Sequence, residues 1–524
     1  MSRMFWSLMP LAALAVSASG AVDPLALSFH RRAARRFVLS NNLPLSALVP
    51  AEVVELPLMH PARGPQPAKY QLGGGTLTIG EGDSTIWVGG VQPFATYQLD
   101  LRAVNGPGPA EVAVDLATLD LSSRVQVVAR YGVERDGLLL RLVKDGKTVR
   151  EEPLSAAAAP APPCLLSVQL SGCSLAAFAT HDGVTSYLGH TADAKTFADL
   201  LDLRDRKLCS TFSFGVATKL PAGGSVVLGG ASSFLSAGVG QADIRMITHR
   251  DGSPYWDEGR LWFTFSARGL NIADSCQGVL SLNPSVFDPR FEGIILYDRG
   301  DGKLRNDYSS HVIYDDASGE WRSFCCLFSR PDRGPSGMAT GRTARDPRRG
   351  ISVLQETVFT GVPGQHEDPC VVFDKQAGKW RLLTCRLEGM RAMMWESDQF
   401  EGPYTLIGGP VDRNSTGCLI QTIGDRRYVF SGSSDQAIHV YSYPELKPLG
   451  DLAMDLPPWL PGGNARVWPN LFPLPAGGPA RYGALMMDRP NFPGVKGPNW
   501  SYGALYYYEA FVDDLGGLPY EFGK

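Results

Sequence analysis

Beyond its first residues the sequence has no long apolar run, no Cys-x-x-Cys pair and no excess of basic charge. Each lack closes a class of function. With 49 Lys and Arg against 53 Asp and Glu, the net charge of −4 leaves no positive field to gather phosphates, which argues against a nucleic-acid partner. The nine cysteines have no ligand spacing, so neither a zinc centre nor a disulfide scaffold is indicated, and no metal or cofactor is expected. Cys325 and Cys326 are adjacent, and adjacent strand residues point to opposite faces, so they read as packing residues. Helical patterning is scarce, with one short helix expected around residues 191–205.

What the chain has in quantity is punctuation. Its 524 residues include 58 Gly and 39 Pro, which cut a chain too long for one core into short elements. The N-terminal stretch MSRMFWSLMPLAALAVSASGA pairs an early Arg3 with an apolar run and small residues before Ala21. That is the layout of a cleaved secretory signal over residues 1–20, too short for a membrane span. It predicts a secreted, periplasmic or cell-surface protein with no stable membrane insertion after cleavage. Residues 21–69, rich in Pro and Arg, read as an extended lead-in.

Two all-β regions follow. Residues 70–238 alternate polar and apolar positions in TLTIG, TYQLDLRAV and RVQVVARYG, and Lys144-Asp145-Gly146-Lys147 has the chemistry of a hairpin turn. This predicts an antiparallel β-sandwich of jelly-roll or lectin-like type. Residues 239–524 carry a repeat. HVIYDDASGEWRSF and CVVFDKQAGKWRLL align without a gap, and CLIQTIGDRRYVFSG is a weaker copy. PYWDEGRLWFTFSARG and NLFPLPAGGPARYGALMMD are looser ones. Leu261, Trp321, Trp380, Tyr428 and Tyr482 anchor the copies at intervals of roughly fifty to sixty residues, the spacing of propeller blades. Five units predict a five-bladed β-propeller.

Residues just before the first strand of each blade line the mouth of a propeller channel. The repeat sets His366-Glu367-Asp368 opposite Asp307-Tyr308-Ser309 and Asn414-Ser415-Thr416, with Arg466-Val467-Trp468 and His249-Arg250-Asp251 as the outer copies. Acids, a His, an Arg and a Trp therefore gather where a polar, sugar-sized molecule would bind. On these residues the region resembles the five-bladed propeller glycoside hydrolases, the superfamily of arabinanases, xylosidases and invertase-like fructosidases. The resemblance covers roughly the last half of the chain. It implies a base or nucleophile on the first blade, a tuning Asp on the second and a Glu general acid on the third. The matching positions are Asp251, Asp307 and Glu367. His366, Asp368, Thr416, Arg466, Trp468 and Arg489 are the expected substrate contacts. The Asn-Asp-Pro-Asn box of the invertase-like members is absent, and neither Asp346 in Arg-Asp-Pro nor Glu401 in Glu-Gly-Pro lies in a matching strand context.

Two carboxyl groups in different protonation states would support cleavage of a glycosidic bond, with Glu367 as acid and Asp251 as base or nucleophile. The expected substrate is a polysaccharide side chain or oligosaccharide, and Arg466 with Arg489 suggests an acidic sugar. Bland readings stand beside these. Asp368 before Pro369 fits a turn, His366 fits a bond to a neighbouring blade, and Trp468 fits packing. The competing class is a non-catalytic glycan-binding surface protein, which would keep Trp468 and the sandwich but would not need acids on separate blades.

Overall fold

The computed structural model describes residues 22–36, 43–44, 70–191, 193–235, 239–270, 275–329, 334–458, 467–475, 478–496 and 501–511. The signal-like segment 1–20 and Arg466 lie outside the described residues. The chain is all-β, and no described helix is long and apolar enough to cross a membrane. The expected short helix is Ala194–Leu200, whose N-terminal backbone N–H groups are capped by the Asp193 carboxylate.

Residues 70–235 supply eleven strands, and Leu43–Pro44 the twelfth, of one antiparallel sheet folded into two layers. Phe212–Leu235 makes the fold. Its first half pairs with Ala110–Thr118 and its second half with Phe94–Asn105, with a register break between Leu220 and Ser225. One strand thus serves both layers, and Leu99, Leu101, Val168 and Leu170 share a buried core with Val112, Val114, Val127 and Leu140. Lys144 pairs with Lys147 across Asp145 and Gly146, both at positive φ, which is the two-residue hairpin expected from that tetrapeptide.

Five four-stranded units make the propeller. Blade 1 is Gly240–Met246, Arg260–Arg268, Cys276–Asn283 and Asp288–Asp298; blade 2 is Tyr308–Asp315, Glu320–Cys326, Met338–Thr343 and Gly350–Val358. Their outermost strands also pair in parallel, fusing the two blades. Blade 3 is His366–Asp374, Lys379–Arg386, Arg391–Ser397 and Thr405–Gly408; blade 4 is Thr416–Ile423, Arg426–Gly432, Ile438–Ser442 and Pro448–Asp451. Blade 5 is Leu471–Pro473, Tyr482–Met487 and Ala504–Phe511, completed by Ser28–Arg36 from the other end of the chain. The lead-in was expected to be merely extended. Instead part of it is the outer strand that closes the ring, held where Arg36 meets the buried Asp488 at 3.3 Å.

The gap-free repeat is the first hairpin of blades 2 and 3, with Tyr314 opposite Trp321 and Phe373 opposite Trp380. Both tryptophans are buried between sheets. All nine cysteines are buried free thiols.

Candidate functional site at the propeller axis

The inner strands of blades 1 to 4 share a bulge. Their register breaks between Ala242 and Arg245, Tyr308 and His311, Glu367 and Cys370, and Thr416 and Leu419. Inside each break one residue takes the left-handed conformation: Asp243 (φ 53°), Ser309 (55°), Asp368 (57°) and Gly417 (57°). Small polar residues and glycine are the ones that tolerate this geometry, and the bulge re-aims their side chains. Two of these positions meet directly, since Ser309 Oγ donates to Asp243 Oδ2 at 3.1 Å. On the other side, Thr416 Oγ1 and the Gly417 N–H both donate to Asp368 Oδ2, at 2.7 and 2.9 Å. A side chain at Gly417 would collide with the Trp468 ring, 2.6 Å from where its Cβ would stand.

The two acids are driven apart electrostatically. Burial works to raise the pKa of Asp243, yet the guanidinium groups of Arg268 (3.2 Å) and Arg489 (3.5 Å), with Ser266 and Ser309 hydroxyls, hold it below the usual carboxylate range. For Asp368, burial raises the pKa and the charge of Asp243 raises it further, against opposition from Gly417, Thr416 and Arg245. Glu367, half-buried on the same strand, brings a carboxylate oxygen within 4.8 Å of Asp368 and of the Cys385 sulfur. These could in principle surround a cation. However, the Cys385 thiol donates to the Ser415 carbonyl at 2.8 Å, which is the bond of a protonated sulfur and not of a metal-bound thiolate.

Of the described residues expected at this site, the structure brings together Glu367, Asp368, Thr416, Trp468 and Arg489, and it separates Asp251, Asp307 and His366. Asp251 is a correction. The short strand Thr248–His249 runs parallel to Ile313 and Tyr314, and Arg250 meets Asp315 and Phe373, so Asp251 lies where the inner strands end. The eight-residue strand Tyr308–Asp315 puts that end about 20–25 Å from the bulges. There Asp251 pairs with Lys375 at 2.8 Å, which with Ser253 outweighs burial and keeps it ionised. The misplacement has a visible source: Trp256–Asp257 folds onto Arg260 and Leu261 as a small hairpin that mimics the repeat. The true inner strand of blade 1 is GQADIRM, so Asp243 is the residue missed. Its signal was a pair of charges, Asp243 and Arg245, inside an otherwise uncharged strand.

Asp307 is a second correction. It is fully buried, but it faces the body of the fused blades 1 and 2, where Ser329 N–H donates to it at 2.7 Å and Arg299 lies 3.7 Å away. Burial and the neighbouring Glu356, carried on the outer strand of blade 2, push its pKa well up. His366 is a third. It is wholly buried, its Nε2 bonds the Pro363 carbonyl and its Nδ1 bonds Thr384 Oγ1, so it is a neutral packing histidine. A cavity of about 620 Å³ lies beside it on the flank of blade 3, lined by Gln365, Arg386, Met393 and Leu406, away from the axis. Trp468 is only 4 % exposed and its indole N–H donates to the Ile244 carbonyl at 2.7 Å, so no ring face is left for a sugar. Asp488 and Arg489 do not pair with each other; the first holds Arg36 and the second Asp243.

Fold and site together define a five-bladed propeller with a β-sandwich inserted ahead of it and a buried carboxyl pair on its axis. No protein-family model matches the sequence, and no curated protein matches it. Among solved structures, a family 117 glycoside hydrolase of the marine bacterium Zobellia galactanivorans aligns at 11% identity and TM-score 0.37, over 52% of this chain and 86% of that one. A GH43_1 enzyme from Xanthomonas citri aligns at 12% identity and TM-score 0.37, over 52% and 88%. The carbohydrate-binding module CBM66 of Bacillus subtilis aligns at 12% identity and TM-score 0.20, over 32% and 91%. The propeller is defined by its five four-stranded units, two of them fused into one sheet.

Proposed function

We propose that this chain is a glycoside hydrolase in which Asp243 is the ionised base or nucleophile and Asp368 the carboxyl that keeps its proton. One observation carries the reading: two acids at matched positions on blades 1 and 3 are pushed in opposite directions by their surroundings. Glycosidic cleavage needs one carboxyl to give a proton and another to take one or to attack. Environments that split the pKa values of a pair assign those roles. Arg268 and Arg489 keep the base charged, while Glu367, nearer to solvent, is the group through which the proton on Asp368 is replaced. The substrate class is a polysaccharide side chain or oligosaccharide, and residues 1–20 would direct the protein out of the cytoplasm.

The test is product release from a panel of plant and microbial glycans by wild type and by Asp368→Asn. Hydrolysis of at least one glycan, reduced about 10²–10⁴-fold in the variant with binding retained, is the expected result. A panel that is bound but never cleaved by the wild type would replace this reading with a binding protein.

A further inference from the structure

One layer below the bulges the channel holds a cation that no described residue neutralises by contact. Arg245 stands on the inner strand of blade 1 at the position matched by His311, Cys370 and Leu419 on blades 2 to 4. It is 2 % exposed, and neither of its terminal nitrogens has a hydrogen-bond partner. Its charge is felt by His311 on blade 2, by Asp368 and Cys370 on blade 3 and by Cys418 on blade 4, while its guanidinium lies 5.5 Å from the Trp468 ring. A side chain that reaches four other segments in this way points down the axis.

No described acid forms an ion pair with it. Val371 N–H donates to His311 Nδ1 at 3.0 Å, so the ring proton is on Nε2, which faces Thr248 Oγ1 at 3.1 Å; the imidazole is neutral with both nitrogens engaged. Asp243 is held by Arg268 and Arg489, and the nearer oxygen bonds of Asp368 go to Thr416 and Gly417. Leaving a buried guanidinium unpaired costs several kcal/mol. Around the axis Arg268 and Arg489 are taken up by Asp243, and Arg245 acts only at a distance on Asp368, which burial and Asp243 press toward its neutral form.

We propose that the propeller channel binds a small monovalent inorganic anion, of halide size, on the free N–H groups of Arg245. The size follows from the burial of the surrounding side chains: His311, Cys370, Cys418 and Trp468 are each 4 % exposed or less, which fits a small ion and not a sugar ring. The site is distinct from the carboxyl pair and holds whether or not the chain cleaves glycans.

Two measurements test it. Bromide in place of chloride in crystals of the whole protein should place an anomalous peak within hydrogen-bond reach of the Arg245 guanidinium. At constant ionic strength, replacing sodium gluconate by sodium bromide should raise the wild-type Tm along a saturating curve, and Arg245→Met should abolish the dependence. An absent peak, or an equal bromide response in Arg245→Met, overturns the proposal. Should that variant fail to fold, the anomalous peak in the wild type decides alone.

Discussion

Asp243 and Asp368 occupy the same bulge position two blades apart, and the charge of the first adds to burial in pressing the second toward its protonated form. Neither acid is on a loop. Each is set by a left-handed residue inside a strand, so the geometry is fixed by sheet pairing and not by a flexible turn.

This relationship predicts the shape of the pH profile. The active form has Asp243 ionised and Asp368 protonated, so activity should fall on the acid side through Asp243 and on the alkaline side through Asp368. Thr416→Val removes a donor that favours the ionised form of Asp368, so it should move the alkaline limb to higher pH. A limb that moves to lower pH in kcat/KM measurements would contradict the assignment.

Stability carries the same signs. The lowered pKa of Asp243 contributes stability that is present above its unfolded value and lost as pH falls through the folded one. The raised pKa of Asp368 works in reverse, costing stability as pH rises from the unfolded value through the folded one. Asp368→Asn should therefore flatten the decline of denaturation midpoint within that window.

Asp251→Asn should leave turnover within a factor of a few of wild type and stability within about 1 kcal/mol. The residue lies at the far end of the channel and its partner Lys375 is 70% exposed. A loss of activity comparable to that of Asp243→Asn, measured on the same glycan, would return Asp251 to the site.

Trp321→Ala and Trp380→Ala should each cost about 3–5 kcal/mol, read from denaturant midpoints. Trp321 packs on Tyr255 and Tyr314 and Trp380 on Phe373 and Phe400, all remote from the carboxyl pair. Normal stability with altered substrate affinity would refute a packing role.

Much of the architecture was legible because the repeat is local. Strand, turn, Trp-Arg and strand are contiguous in blades 2 and 3, so a gap-free alignment carried the hairpins and the blade count. The site was less legible. Glu367, Asp368 and Thr416 follow directly from the repeat, whereas Asp243 precedes a decoy hairpin at Trp256 that captured the alignment. Asp307 and His366 were in register with the axis, but register does not tell which way a side chain leaves a bulged strand. Strand Ser28–Arg36 could not be read as the last strand of blade 5, since its partner lies beyond Ala504.

That last pairing has a consequence for biosynthesis. Ser28–Arg36 is made well before its partner Ala504–Phe511, so the ring stays open until that partner has been synthesised. At about 5–20 residues per second the wait is on the order of half a minute or more. Until it ends, Ser28–Arg36 lacks its antiparallel partner and blade 5 cannot be completed, whatever the other four blades have already formed.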